Sequence, residues 1–492
     1  MIMSRLPIVS NADSQPSRFR KLAIRAIVVL LVIAFVLVWM NHDRRSAWDR
    51  YKSEKEAQGE SLDWRSVHPP ALPPDDQNFA SARLVKALGV WGQTDPTVNA
   101  NVRALPIYNE LGHIGDLEKY ERTDLAAIQT KLRAQTTPFF QWPPLPQDPA
   151  ADVLFAFTPM ESEFNELRLA ALRPHAQIEL KFPDPVSAQR PNFVALRELA
   201  QMYCVKAIAE LRLGKADDAL ADNRVIFRLA DASRSSPSVV CVMMYVAING
   251  LVTQPFWEGW LANQWSDEQL IEFQNLFSKV DMLSGYDSGL QGERARINYC
   301  MEVLVPTNGW RGYVGVGPFS SRVVGFAFHV CGFEQSSRLK CNQFLDQFVL
   351  PNYELREQRI YPAKMAENSA RLERAISRWR PSTYLAGIAI PNFTRALFSV
   401  AHNQTYVNLA FVVCALERYR RAHGQYPESL DSLTPAFAQR LPRDLFTGQP
   451  LKYRRTGDGK FLLYSVGWNA IDDGGLPAKE GKDWVWPVRA KK

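Results

Sequence analysis

The sequence predicts an α+β protein with three parts: an N-terminal transmembrane helix, a large and mostly α-helical body, and a small C-terminal domain of one helix and a β-hairpin. Three observations lead to this prediction. An apolar run of membrane-spanning length lies near the N-terminus, apolar residues recur with helical spacing through the middle, and two strand-like segments flank a glycine-containing turn near the C-terminus.

The composition is that of a globular protein and excludes several classes. Apolar residues make up 46% of the chain and charged residues 22%, which excludes a disordered chain and a multi-pass membrane protein. Lys and Arg total 58 against 51 Asp and Glu, so the net charge of +7 is too small for its length to indicate a nucleic-acid partner. Six cysteines are too few for a disulfide-built scaffold.

Residues 22–40 are predicted to be a transmembrane anchor. Residues 26–40 carry no charge, and Arg25 alone interrupts the apolar residues before them. A helix needs about 20 apolar residues to cross the hydrocarbon core, and a soluble core helix would show a polar stripe that this run lacks. A cleaved signal peptide is the alternative, but no small-residue cleavage pattern follows Trp39. The lipid bilayer is therefore the first expected partner.

The orientation of this anchor rests on a short N-terminal tail, because the basic residues on its two sides balance. Five lie before the uncharged stretch 26–40 and five follow it closely: Arg5, Arg18, Arg20, Lys21, Arg25 and Arg44, Arg45, Arg50, Lys52, Lys55. We expect a cytoplasmic tail over residues 1–21 and an extracytoplasmic bulk, held in the inner (cytoplasmic) membrane. A body that faces the cytoplasm is the alternative.

Two parts are predicted to follow the anchor. They are a stalk and Pro-rich linker over residues 41–76, and a mainly helical domain over residues 77–400. Helices are predicted at residues 124–134, 161–172 and 266–280, and residues 363–379 continue this pattern after Pro362. Alternation at residues 177–182 predicts a strand. The apolar segment 239–262 is interpreted as a buried core helix rather than a second span, because Pro255 and Glu258 interrupt it.

Residues 192–237 are predicted to form a helical hairpin. Apolar residues keep helical spacing in two stretches, which Gly214 separates. The hairpin resembles one tetratricopeptide unit in the residues Ala207, Leu211, Gly214, Asp218, Ala219, Leu229 and Pro237. No second copy follows at that period, so a helical body rather than a peptide-binding array is expected.

No catalytic motif is recognisable, so no catalytic residue and no organic cofactor is predicted. HExxH, CxxC and Walker patterns are absent, and no two of the seven histidines stand at helical ligand spacing. Cys331 and Cys341 are interpreted either as a disulfide pair or as free thiols. An extracytoplasmic hydrolase whose site joins distant residues of the helical body is the alternative function.

The last residues, 401–492, are predicted to form a helix followed by a hairpin. The helix ends near Gly424, and residues 456–459 form the turn between the strands 451–455 and 461–466. This domain resembles the globular half of the type II secretion major pseudopilin. The matching residues are 415–419, 423–427, Leu430, Leu433, Leu441, Pro442, Asp444, Gly448, Pro450, Leu451, Tyr453 and 464–467.

The resemblance implies a calcium site in the loop after the last strand. Its ligands here are Asn469, Asp472 and Asp473, together with backbone carbonyls. Oxygen ligands on a flexible loop suit Ca²⁺, although Asn469 replaces an acidic residue of the family. A hydrogen-bonded turn without metal is the alternative.

The chain departs from that family at its other end. Residues 1–26 hold no prepilin-peptidase signal, and some 350 residues separate the anchor from the pseudopilin-like domain. We therefore expect a membrane-anchored, extracytoplasmic, non-enzymatic interaction or structural protein. Its expected partners are the lipid bilayer and envelope or secretion proteins.

Overall fold

The computed structural model describes residues 16–69, 71–92, 114, 116–119, 121–134, 140–304, 329–330, 332–376, 381–476 and 482–490. The described chain is mostly helical, with two small antiparallel sheets in its C-terminal third, as the α+β prediction requires. It divides into two compact units. One contains residues 1–60 and 300–340, and the other contains residues 61–299 and 341–492.

Thirteen α-helices are described. They are α1 (Pro16–Ala57), α2 (Arg83–Leu88), α3 (Leu125–Arg133), α4 (Pro149–Ala156), α5 (Glu161–Ala170), α6 (Phe193–Arg212), α7 (Ala216–Ser233), α8 (Val239–Leu261), α9 (Asp267–Ser278), α10 (Met282–Tyr299), α11 (Phe333–Phe344), α12 (Pro362–Ala375) and α13 (Pro381–His423). Short 3₁₀ turns include Asp75–Gln77 and Leu430–Leu433, and π-helical turns follow α10 and α11 at Cys300–Leu304 and Leu345–Val349.

The first unit is built on α1, which contains the predicted anchor and the first part of the predicted stalk. Large apolar side chains of the anchor are exposed, with Phe35 exposed to 71% and Leu31 to 64%. Near the other end of α1, Trp48 is buried and the Arg338 guanidinium lies 4.0 Å from the centre of its ring. The apolar anchor and the packed part of α1 are therefore distinct stretches of one helix.

By length and composition, two helices within the described residues are apolar enough to cross a membrane: the stretch Arg20–Ala57 of α1, and α8. Their burial differs. None of the most apolar 18-residue stretch of α1 is buried against protein, whereas 67% of the corresponding stretch of α8 is buried. The burial of α8 is that of a core helix, which is the interpretation the sequence favours.

The second unit is organised around the hairpin α6–α7 and α8, which pack against one another. The Asn192 side chain accepts a hydrogen bond from the Ala195 N–H and so caps α6, and Gly214, at φ +74°, lets the chain turn into α7. At the far end of α8, the Trp257 and Trp265 indoles donate to backbone carbonyls, and both rings are buried. The two helices and the turn between them lie where the sequence predicts the hairpin.

The predicted strand at residues 177–182 is wrong, because this extended segment has no strand beside it. The Gln177 N–H donates to the Asn78 side chain at 2.8 Å, and the Ile178 N–H donates to the Ser235 hydroxyl at 2.8 Å. Side chains from two distant segments therefore take the hydrogen bonds that a sheet would otherwise supply.

The C-terminal part of the second unit consists of the last part of α13 and a three-stranded antiparallel sheet. The strands are β3 (Lys452–Arg455), β4 (Phe461–Ser465) and β5 (Trp484–Val485), in the order β3-β4-β5, while β1 (Tyr353–Glu354) and β2 (Arg359–Ile360) form a separate ribbon. The predicted hairpin is confirmed, and β5 is a strand that the sequence did not reveal. The predicted division at residue 400 falls inside the continuous helix α13.

A close helix crossing in the second unit gives a stability prediction. A Cβ atom on Gly292 of α10 would lie 1.7 Å from the Pro237 carbonyl oxygen, whereas a Cβ on Gly285 of the same helix meets nothing closer than 3.8 Å. We expect Gly292→Ala to lower the free energy of unfolding by about 1–3 kcal/mol, because the backbone at Pro237 has to move. Gly285→Ala is the matched control and should be neutral or stabilising by up to about 1 kcal/mol.

The measurement is thermal or urea unfolding of the detergent-solubilised chain, followed by tryptophan fluorescence. Equal stability of the two variants would show that α10 does not approach Pro237 as closely as described.

Candidate functional site

The predicted site lies in the loop that follows β4. The loop starts at Gly467, which has a φ of +69°, and a Cβ there would lie 2.2 Å from the Lys482 carbonyl oxygen. It ends at Gly474 and Gly475, which also have positive φ. Glycines at these positions let the loop turn back tightly on the segment that leads into β5.

Asp472 is held at the edge of this loop. Its carboxylate accepts hydrogen bonds from the Tyr464 hydroxyl at 2.9 Å and from the Gly474 N–H at 3.0 Å, and the Lys452 ammonium lies 3.1 Å away. The Gly474 N–H, with Tyr464 and Lys452, lowers the pKa of Asp472. Asp472 is therefore ionised at neutral pH and already partly neutralised by a lysine.

Asp473 and Asn469 meet within the loop, and a third carboxylate joins them. The Asn469 amide and the Lys482 N–H donate to Asp473 at 3.0 and 3.1 Å. The Asp473 and Gly475 N–H groups donate in turn to Asp483, at 3.3 and 2.7 Å. The structure thus brings together two of the predicted residues and adds Asp483, while Asp472 lies beside them on the Tyr464 side.

Asp483 is a residue that sequence reasoning missed. It is only 1% exposed and lies beside β5, a two-residue strand without a periodic signal of its own. Burial raises the pKa of Asp483, and the negative charges of Asp473 and Asp472 add to this effect against the two backbone N–H bonds. The loop therefore concentrates negative charge around a buried carboxylate.

The oxygen-rich chemistry of these groups fits Ca²⁺, which prefers carboxylate, amide and carbonyl ligands. In the structure, the same carboxylate oxygens accept N–H bonds from the loop itself. Among the described residues, no three His, Cys, Asp or Glu side chains are arranged to hold a metal ion. Residues 477–481, between Leu476 and Lys482, lie outside the described part of the chain.

A second candidate site is a cleft of about 330 Å³ lined by α6, α8, α13, Ile114 and residues 116–118. The His402 Nε2 atom pairs there with the Glu118 carboxylate. The imidazole ring packs against the rings of Trp484 and Tyr406, whose centroids lie 5.0 and 5.1 Å from it. A paired histidine in a cleft has the geometry that proton-transfer chemistry needs.

Two buried glutamine side chains line this cleft. Gln201 and Gln254 are 5% and 4% exposed, and the Oε1 atom of each has no hydrogen-bond partner among the described residues. Gln254 uses its amide N–H₂ to bind Glu258 and the Glu121 carbonyl. Acceptors without donors in a cleft suit a ligand that carries N–H or O–H groups. His402 stands among the scattered histidines of the sequence, so no spacing signal predicts its pairing with Glu118.

Five cysteines lie within the described residues. Cys204, Cys241, Cys341 and Cys414 are free thiols and buried, and Cys300 is also buried. Burial raises the pKa of the Cys341 thiol to about 12, so this group is an inert thiol at neutral pH. Cys331, its proposed partner, lies outside the described residues.

Comparison with known proteins gives no relative for this chain: no protein-family model, no curated protein and no solved structure matches it.

Proposed function

We propose that the chain is a membrane-anchored interaction protein whose helical body and C-terminal domain lie outside the cytoplasm. The observation that carries the proposal is the exposed apolar surface of α1 at residues 22–39. Burial of apolar surface is favourable by about 25 cal/mol per Å², so a surface of this length is strongly favoured to enter lipid. Arg20, Lys21 and Arg25 at one end and Arg44 at the other place basic groups near the two lipid interfaces.

The expected partners follow from this placement. The anchor binds the lipid bilayer, and the units that carry the remaining residues contact envelope or secretion proteins. The pseudopilin-like order of the C-terminal residues supports the second class of partner, although the pilin processing signal is missing from residues 1–26. An inner-membrane protein with a cytoplasmic N-terminus is the arrangement we propose.

The orientation is tested with reporter fusions in a bacterial host. Alkaline phosphatase fused after residue 492 should be active, because it folds only outside the cytoplasm, whereas β-galactosidase fused at the same point should be inactive. The same fusions to a variant without residues 22–40 are the control and should show the opposite pattern. Active β-galactosidase on the full chain would place the body in the cytoplasm and reverse the proposal.

Calcium is proposed as a stabilising ligand of the C-terminal loop. The support is the concentration of Asp472, Asp473 and Asp483 in one small region, where the charges of Asp473 and Asp472 add to the effect of burial and raise the pKa of Asp483. A divalent cation relieves this repulsion and replaces the N–H donors that now satisfy the carboxylates. Asn469 supplies an amide oxygen in the same region.

Calcium should raise the melting temperature of the full chain and protect the loop from protease. At 100 times its dissociation constant, a single bound ion adds about 2.7 kcal/mol to stability. Asp483→Asn should abolish this gain. Asp458→Asn is the control, because Asp458 lies in the turn between β3 and β4 and pairs with Arg489. If the melting temperature of the unaltered chain does not respond to calcium, the loop is a hydrogen-bonded turn without metal.

A hydrolase is the second candidate function, and the His402–Glu118 cleft is the observation that favours it. A carboxylate that accepts a hydrogen bond from one ring nitrogen of a histidine fixes the orientation and tautomer of the ring. The other ring nitrogen is then free to accept a proton from an attacking water. Asp116 lies in the same cleft. Burial opposes its ionisation, but the Lys119 ammonium outweighs burial and lowers the pKa of Asp116.

The hydrolase hypothesis is tested with a chromogenic ester, p-nitrophenyl acetate, on the solubilised chain. His402→Gln should reduce the rate by about 10²–10⁴-fold, the usual contribution of a general base. His423→Gln is the matched control, since His423 is an exposed histidine at the end of the same helix. Equal rates in the two variants, or no hydrolysis by the unaltered chain, would remove this candidate for ester substrates.

A further inference from the structure

A separate cleft of about 370 Å³ lies where α4 and α5 meet the α6–α7 hairpin. One wall is apolar, and its exposed part is formed by Phe155 and Leu213, which are 43% and 39% exposed. Phe164 lies deeper in the same wall and is buried. The opposite side of the cleft is charged, so the cleft presents two chemically different surfaces to a ligand.

The charged side contains four side chains that neutralise one another. Arg168 of α5 donates to Asp222 at 2.5 Å and to Glu210 at 2.6 Å. Lys206 donates to Glu210 at 2.6 Å and to Asp222 at 3.1 Å. Two cations and two anions therefore form a closed ring of ion pairs. Glu210 and Asp222 have side chains that are 4% and 0% exposed.

One acceptor and one donor remain unmatched in this ring. Both hydrogen bonds to Glu210 go to its Oε1 atom, and its Oε2 atom has no partner among the described residues. Lys206 uses two of its three N–H groups. Because Lys206 binds Oε1 of the same carboxylate, its ammonium group lies close to the unmatched Oε2.

The pKa of Glu210 is consistent with an unmatched oxygen on its carboxylate. Burial raises the pKa of Glu210 to about 7, and the neighbouring Asp222 carboxylate contributes in the same direction against the attraction of Lys206 and Arg168. The charged form of Glu210 thus has fewer favourable partners than it needs. A ligand N–H directed at Oε2 would supply one.

We propose that this cleft binds a neutral amide that carries an apolar side chain. An amide presents one donor and one acceptor close together, which matches Oε2 of Glu210 and the remaining N–H of Lys206. The four charges of the ring cancel, and the other charged residues of the lining carry both signs: Glu161, Lys215 and Asp218. A charged head would therefore lose its hydration without gaining a net counter-charge, whereas a neutral amide loses less. The apolar side chain of the ligand packs against Phe155 and Leu213.

This inference deepens the proposed interaction function, because it names the chemistry of a ligand. Its failure is distinguishable from failure of the proposed function, because binding is measured on solubilised protein and does not depend on orientation in the membrane. The same amide chemistry occurs in small molecules and in peptide segments, and the experiment therefore includes both.

The experiment is calorimetric titration of the full chain in detergent with N-acetyl-L-phenylalaninamide. We expect saturable binding, and binding at least tenfold weaker for 3-phenylpropionate and for phenethylamine, which keep the ring and carry an anionic or a cationic head. Glu210→Gln replaces the unmatched oxygen with an amide N–H₂ group and should weaken amide binding at least tenfold. A blocked tripeptide with central phenylalanine that binds more tightly than the single amide identifies a peptide source, and weaker binding identifies a small molecule.

Phe155→Ser provides a variant that leaves the ion-pair ring untouched, and it should also weaken binding. Leu172→Ser is the matched control, because Leu172 is 64% exposed and does not line the cleft. The proposal is overturned if the unaltered chain does not bind the amide. It is also overturned if the charged analogues bind as well, or if Phe155→Ser binds as tightly as Leu172→Ser.

Discussion

Exposure of the apolar side chains of α1 at residues 22–39 is the constraint on which this interpretation depends. These side chains are large, contiguous and uncovered by any described part of the chain. Water cannot solvate such a surface without a large free-energy cost, so lipid is the natural environment for it. The opposite holds at Trp48 on the same helix, where packing against Arg338 is typical of a water-soluble unit. One helix therefore contains an uncovered apolar stretch and a stretch that packs against protein.

Inside the second unit the main constraint is satisfaction of buried polar groups. Arg168, Lys206, Glu210 and Asp222 show how charges from three helices are buried at low net charge, since each cation contacts both anions. At two places where this matching is incomplete, a cleft lies beside the unmatched atoms. They are Glu210 in the cleft at α5, and Gln201 and Gln254 in the cleft at His402. Incomplete matching is thus a feature that the two candidate clefts share.

Local signals in the sequence predicted local structure well. The turn at Gly214, the helix that starts after Ser266 and the hairpin of β3 and β4 all appear where their residues indicate, because each depends on neighbours along the chain. The prediction of a strand at residues 177–182 failed because Asn78 and Ser235, from distant segments, accept hydrogen bonds from its backbone.

Sites were harder to predict for the same reason. Asn469 and Asp473 do meet, but Asp483 joins them only through the return of the chain to β5, and His402 meets Glu118 only in the folded unit.

The most direct test of the central claim is alkaline carbonate extraction of bacterial membranes that contain the full chain. The chain should remain with the lipid pellet, and a Leu31→Lys, Val32→Lys variant should move to the supernatant, because two charges at the helix centre oppose insertion. Release of the unaltered chain into the supernatant would contradict the account.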